Sequence, residues 1–379
     1  MNKPEYTGNS IVNLMSTLTQ KFKGTHSYPE LKNLPSKDLE QYDSIILIVL
    51  DGLGYNYLQR HEDSYLYNHL KGKLTSTFPT TTACANTSFL CGYPAQQTSI
   101  HNWFVNSVKA QGTLELLPFK LKTDTEPNSL EQKGFFIEDF ITAKPLHEEF
   151  NADSFFIAPT PIPTSNLTTY LCSHITKIAS QDYKEVFKDT KKLSKLKGQK
   201  FIHAYIPDLD MCQHKHGNNS KETDDLFKEI DIEIQQLMEQ TSEDTKVIVT
   251  SDHGHVDVPL ENNFFIEDLD IQDCLSAPPG GLTKVKDFFV RPHKIDTFKQ
   301  KMEEFLEGKG TLHRGQDLLG KGYYGEGDLN PDLQNRVGDY VVIMNEDYAL
   351  WNTFKEEPMI GHHGGLSDKE LYVPLITFN

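Results

Sequence analysis

The sequence is short of arginine. Only Arg60, Arg291, Arg314 and Arg336 occur among 37 basic residues, against 54 acidic ones, for a formal net charge of −17. Duplex nucleic-acid binding needs Lys and Arg in excess on one surface, and the sequence shows neither an excess nor a basic run, which argues against that role. An anionic substrate would need a local attractor, and bound metal cations can reverse the local potential of an acidic protein. Cysteine is scarce too: Cys84, Cys91, Cys172, Cys212 and Cys274 contain no CxxC pair, which argues against a disulfide framework and a thiolate zinc knuckle and leaves reduced thiols as the expectation. No run approaches the roughly 18 apolar residues of a membrane span, and Met1 to Phe22 lacks the apolar core of a signal peptide. The expectation is a cytoplasmic protein with no membrane partner.

Core material is ample. In 379 residues, 37% are hydrophobic and 22 Phe and 16 Tyr are present, enough for one large α/β unit or two domains. Ser44 to Leu50, Phe201 to Ile206 and Val247 to Thr250 read as strands whose near-continuous apolar character suggests a sheet covered on both faces. Thr223 to Gln240 has helical period, with Leu226, Ile230, Ile234, Leu237 and Met238 on one face, Thr223 as N-cap, and Asp224 and Asp225 in the first turn. From about Pro278 the texture changes to a strand (Val285 to Val290), a helix (Asp296 to Leu306) and a strand (Tyr340 to Met344), which predicts a small α+β insertion over 283–345. The main domain would comprise 1–282 and 346–379, with Leu371 to Phe378 rejoining its sheet. Residues 104–200 carry no legible pattern.

Each of the three apolar runs ends in acidic or acid-histidine chemistry: Asp51-Gly52, then Asp208, Asp210, His214 and His216, then Asp252-His253-Gly254-His255. Taken singly, an Asp-Gly or a DHG after a strand is more often a turn. Three strands delivering carboxylates and imidazoles to one sheet edge is what a shared metal site requires, because open α/β sheets bind ligands beyond their carboxyl ends. A fourth element is FPTTT, where Thr80, Thr81 or Thr82 could lie at a helix N-terminus that favours an oxyanion.

Asp51, FPTTT, DMCQH (Asp210 to His214), SDHG and GHHGG, in that order, resemble the alkaline phosphatase superfamily, and most closely its type I phosphodiesterase/nucleotide pyrophosphatase branch. The resemblance spans nearly the whole chain. It implies a central, mostly parallel sheet between helix layers and a two-metal site. One metal would be held by Asp51, the nucleophile, Asp252 and His253, and the other by Asp210, His214 and His363. Asp210 is preferred to Asp208 because it alone has a His four residues on, and His363 to His362 because it adjoins Gly-Gly. Counting back ten residues from Gly92, which closes the nucleophile helix in such sequences, gives Thr82 as nucleophile and third ligand of the first metal. Asn102 resembles the family's asparagine that donates to a phosphoryl oxygen. These O and N donors suit two divalent cations, most plausibly Zn²⁺, with Mn²⁺ or Fe as alternatives. The implied reaction is hydrolysis of a small phosphodiester through a metal-activated threonine and a phospho-threonine intermediate.

Departures from the family pattern matter. Ala83 stands where nucleotide-hydrolysing members carry a base-stacking aromatic residue, and no Arg lies between 61 and 290 to meet the extra charge of a monoester. DMCQHK also resembles phosphonoacetate hydrolases, so C–P cleavage of a phosphonate is the alternative reaction, and a non-catalytic metal-binding protein is the second alternative. His101, His203, His216 and His255 are expected to be hydrogen-bonded or to support ligands rather than coordinate.

Overall fold

Both faces of the strand Ser44–Leu50 (β1) are covered: Ile45, Leu47 and Val49 enter one apolar core, while Ile46, Ile48 and Leu50 enter a second. Side chains alternate across a strand, so a run with no polar interruption forms where helices close both sides. The computed structural model describes residues 2–353 and 359–378. After β1 the principal strands are Leu70–Thr75 (β2), Asp153–Pro159 (β3), Thr176–Ser180 (β4), Lys200–Ile206 (β5) and Thr245–Thr250 (β6). A second sheet contains Leu275–Gly281 (β7), Val285–Val290 (β8), Gly310–Arg314 (β9) and Tyr340–Met344 (β10), and Tyr372–Phe378 (β11) returns to the first.

The central sheet has seven strands in the order β2-β11-β6-β1-β5-β3-β4. β1 runs parallel to β5 and β6, and β3 to β4 and β5; β11 is antiparallel to its neighbours β2 and β6. This is the alkaline-phosphatase-like α/β architecture, a mostly parallel sheet between helices. β6, β1 and β5 lie side by side, so their carboxyl ends, and the Asp-bearing segments that follow, open on one edge.

One core packs helices Ile11–Lys21 (α1) and Thr82–Cys91 (α2) on the sheet, and the other packs Tyr183–Ser194 (α3) and the helix Lys221–Met238. Asp208–His216 (α4) follows β5 directly, and Lys221–Met238 is then α5. The α5 N-cap is Ser220, not Thr223: its extended backbone lets its Oγ accept from the Thr223 N–H, while the Thr223 hydroxyl turns back to the Gly217 carbonyl. Phe227, absent from the expected stripe, is buried there against Tyr57 and His61.

Sheet β7-β8-β10-β9 packs Phe288, Val290 and Val342 on Phe298, Met302 and Leu306 of the helix Ile295–Leu306 (α6). It includes β7, ahead of the 283 boundary read from the sequence, and its other face (Val285, Val341, Ile343) joins Phe78 and Cys84 around the start of α2. The second sheet therefore leans on the start of α2. Lys184, Lys188, Lys191, Lys192 and Lys195 of α3 and its C-terminal end line one groove with Glu233, and Lys184 and Lys191 pair with Glu229 and Glu233 at 3.0 and 3.2 Å. Their spacing along the helix gathers them on one face.

Candidate metal and phosphoryl-transfer site

β1 delivers Asp51 into a turn that only glycine can continue: Gly52 has φ +80°, and a Cβ there would lie 2.3 Å from Gln213 Oε1 and 3.0 Å from Asp210 Cα. That close approach seats Asp51 against α4. The Tyr205 hydroxyl donates to Asp51 Oδ2. Asp252, after β6, accepts the N–H groups of Gly52 (3.3 Å) and His253 (3.0 Å) on Oδ1. The other oxygens, Asp51 Oδ1 and Asp252 Oδ2, are buried without a hydrogen bond among the described residues. His253 Nε2 faces both, at 3.4 and 3.6 Å.

Asp210 sits in the first turn of α4 and meets three imidazoles. Its Oδ1 is 2.6 Å from His255 Nε2, 3.4 Å from His214 Nε2 and 3.9 Å from His363 Nε2. His214 Nδ1 lies 2.8 Å from the Gly361 carbonyl, and His363 Nδ1 lies 2.9 Å from that of Thr80. A carbonyl can only accept, so both rings carry their proton on Nδ1 and leave the Nε2 lone pair facing the site, the tautomer a metal ligand requires. His255 differs, because its Nε2 is committed to Asp210. The rings of His253 and His363 stack with centroids 3.7 Å apart and so join the two groups.

Burial pushes the Asp51 carboxyl well above its usual range, with the charges of Asp252 and Asp210 adding to it. Burial would raise Asp210 as well, but His214, His255 and His363 hold it well below the ordinary carboxylate value. Burial lowers His255 to about 4. Three carboxylates taken out of water with only histidines as ion-pair partners among the described residues are costly unless a cation joins them. Potential ligand atoms of Asp51, Asp252 and His253 lie within 4.8 Å of one another, and so do those of Asp210, His253, His255 and His363. The residues present thus fit two divalent cations on O and N donors.

FPTTT divides its three threonines. Thr80 binds the GHHGG loop, its Oγ1 accepting from the Gly364 N–H at 3.0 Å and donating to the Gly365 carbonyl at 2.9 Å. Thr81 is the N-cap of α2, accepting from Cys84 N at 3.4 Å. Thr82 is the first helical residue, and its hydroxyl lies 3.2 Å from His253 Nε2. Of the three, Thr82 alone has solvent access, 9% against 0% for the others. Gly92, at φ +81°, ends the helix.

Thr82, Asp210, His214 and His363 open on a cavity of about 360 Å³ whose far wall is built by the β7–β8 turn and Trp351. Asn102 is fully buried behind that wall. Its Oδ1 accepts from Trp103 N, and its Nδ2, within 3.0 Å of where a Gly281 Cβ would stand, has no partner among the described residues. The structure therefore brings Asp51, Thr82, Asp210, His214, Asp252, His253 and His363 to one edge, with Asn102 beside the cavity wall. His255, expected to be hydrogen-bonded or to support a ligand, contacts Asp210 Oδ1 through Nε2 at 2.6 Å. His101 lies apart, bonded to Asp287 of β8 at 3.0 Å, and His203 is buried among aromatic rings.

The type I phosphodiesterase/nucleotide pyrophosphatase family model matches residues 45–366. Comparison with curated proteins gave no match. Among solved structures, the fold is similar to murine ectonucleotide pyrophosphatase/phosphodiesterase 5, an inactive form in complex with AMP, at 14% identity over 87% of each chain and a TM-score of 0.65. The human counterpart gives 14% identity over 88% of this chain and 87% of that one, with a TM-score of 0.65. Phosphonoacetate hydrolase from Sinorhizobium meliloti 1021, in complex with phosphonoformate, gives 15% identity over 88% and 89% and a TM-score of 0.65. No helix among the described residues is long and apolar enough to cross a membrane. With the family model spanning the chain from β1 through the GHHGG loop, this protein belongs to the type I phosphodiesterase/nucleotide pyrophosphatase family of phosphoester hydrolases.

Proposed function

We propose that the protein is a two-metal phosphodiesterase with Thr82 as its nucleophile. The carrying observation is the Thr82 hydroxyl, the one threonine of FPTTT with solvent access, set beside His253 at the junction of two buried carboxylate-imidazole groups. Asp51, Thr82, Asp252 and His253 would hold one cation and Asp210, His214 and His363 the other. Bound there, two cations supply charge stabilisation for both oxygens of an in-line displacement at phosphorus and lower the pKa of a coordinated hydroxyl.

The remaining work falls to the chain. Thr82 Oγ attacks phosphorus from the first turn of α2, whose free N–H groups and dipole favour the negative phosphoryl oxygens. Asn102 is assigned as donor to one of those oxygens on the strength of its buried Nδ2, which lacks a partner among the described residues. Thr80 and the Gly361 carbonyl hold His363 and His214 in register, and His255 orients Asp210. Attack expels one alkoxide or aryloxide and leaves phospho-threonine, and water then cleaves that ester to regenerate Thr82.

The test compares zinc-loaded protein on bis(p-nitrophenyl) phosphate and on phosphonoacetate. Release of p-nitrophenolate with no phosphate from phosphonoacetate is expected. Faster cleavage of phosphonoacetate would move the reaction to the C–P bond. Bound metal without turnover of either would leave a metal-binding protein.

A further inference from the structure

The cavity beside Thr82 has walls unlike its floor. Trp103, Phe104, Leu282, Trp351 and Met359 present apolar surface around about 360 Å³ that Thr82, Asp210 and His363 also line. Both tryptophans of the chain stand here. Each has its polar edge occupied elsewhere, Trp103 Nε1 by Glu115 at 3.4 Å and Trp351 Nε1 by Asn263 at 2.6 Å, so the cavity receives ring surface rather than N–H groups. Among the described residues, polar groups at its margin are also engaged. Thr283 Oγ1 is 2.8 Å from His362 Nδ1, and Lys286 Nζ donates to Asn352 Oδ1 at 2.8 Å and to the Gly281 carbonyl at 3.3 Å.

We infer that this cavity receives one ester arm of the substrate and selects an aromatic, sugar-free arm over a ribose-containing one. The inference rests on the phosphodiesterase reading and adds the class of substrate. An aryl arm loses little hydration on entry and gains contact with two indoles. A ribose would bring hydroxyls against Thr283, Lys286 and Asn352, which among the described residues already bond to other partners, and a hydroxyl that displaces none of them loses water without replacement. Ala83, buried in the core with 0% exposure, offers no ring to an incoming base, so the aromatic surface comes from Trp103, Phe104 and Trp351 instead.

Two measurements on the zinc-loaded protein test this. Because the only tryptophans line the cavity, intrinsic fluorescence reports its occupancy whether or not turnover occurs. Diphenyl phosphate is expected to change the emission saturably and to bind at least about 10-fold more tightly than dimethyl phosphate. With p-nitrophenolate kept as leaving group, the phenyl diester is expected to exceed the thymidine 5′-diester by about 10-fold or more in kcat/KM, and Trp351→Ala to shrink that ratio to about threefold or less. Equal binding of the two phosphates, or preference for the thymidine arm, overturns the inference. Selective diphenyl phosphate binding without hydrolysis of any diester supports the site and overturns the phosphodiesterase reading. Hydrolysis with no preference between arms does the reverse.

Discussion

At Thr82 the proposed chemistry rests on one oxygen. Thr82→Ala is expected to keep the fold and both metals but to lose diester hydrolysis by at least about 10³-fold, since the covalent route disappears. Thr82→Ser should retain part of the activity, because a primary hydroxyl can occupy the same place. Its neighbours should fail in other ways. Thr81→Ala removes a helix cap and should cost about 1 kcal/mol of stability with activity largely kept. Thr80→Ala leaves the Gly364 N–H buried without its acceptor, next to the proposed ligand His363, so it should cost about 1–3 kcal/mol and weaken metal retention. Thermal melts with metal analysis separate the three. A dead Thr81→Ala beside an active Thr82→Ala would show the nucleophile to be misplaced.

Among the elements, β5 carries a titrating feature away from the carboxylate-imidazole groups. His203 on β5 and His147 are buried among Phe156, Phe201 and Phe150, and neither ring nitrogen of either has a hydrogen-bond partner among the described residues. Burial lowers His203 to about 3 and His147 to about 4. Folded values below the unfolded one of about 6.5 mean that the unfolded chain binds protons first. The stability is whole above about pH 6.5 and drains as pH falls toward the folded values, by about 2 kcal/mol per histidine at pH 5. The midpoint of thermal unfolding should therefore fall from pH 7 to pH 5, and His203→Leu should flatten that slope; an unchanged slope would count against the buried neutral rings.

The same elements show what the sequence could reveal. β1, β5 and β6 were readable because two-sided burial writes an unbroken apolar run. β2 (LKGKLT) and β4 (TKIAS) are the edge strands, part exposed and broken by lysine, and carry no such run. α1 was hidden for the opposite reason. It is buried along most of its length, yet Asn13, Ser16 and Thr17 interrupt its apolar pattern, each bonded internally to loop backbone. The metal-ligand candidates were legible because strand ends concentrate chemistry in a few local words. The cavity walls were not, because Trp103, Leu282 and Trp351 meet only through tertiary folding.

Over the whole molecule, a net charge of −17 surrounds a site that must attract anions. Moderate salt should raise kcat/KM for an anionic diester by up to a few-fold, because screening removes long-range repulsion and leaves short-range contacts to the cations. A steep fall with salt would show a cationic docking surface instead, with the α3 lysines as the first place to look. Chelation should also lower the melting temperature, because cations that neutralise three buried carboxylates bind the folded state alone. Two divalent cations sharing the edge of β6, β1 and β5 can be counted by elemental analysis of dialysed, zinc-reconstituted protein. Two zinc ions per chain are expected, falling to one in either Asp51→Asn or Asp210→Asn. One ion or none in the unaltered protein, or two ions retained in both variants, would contradict the two-cation site.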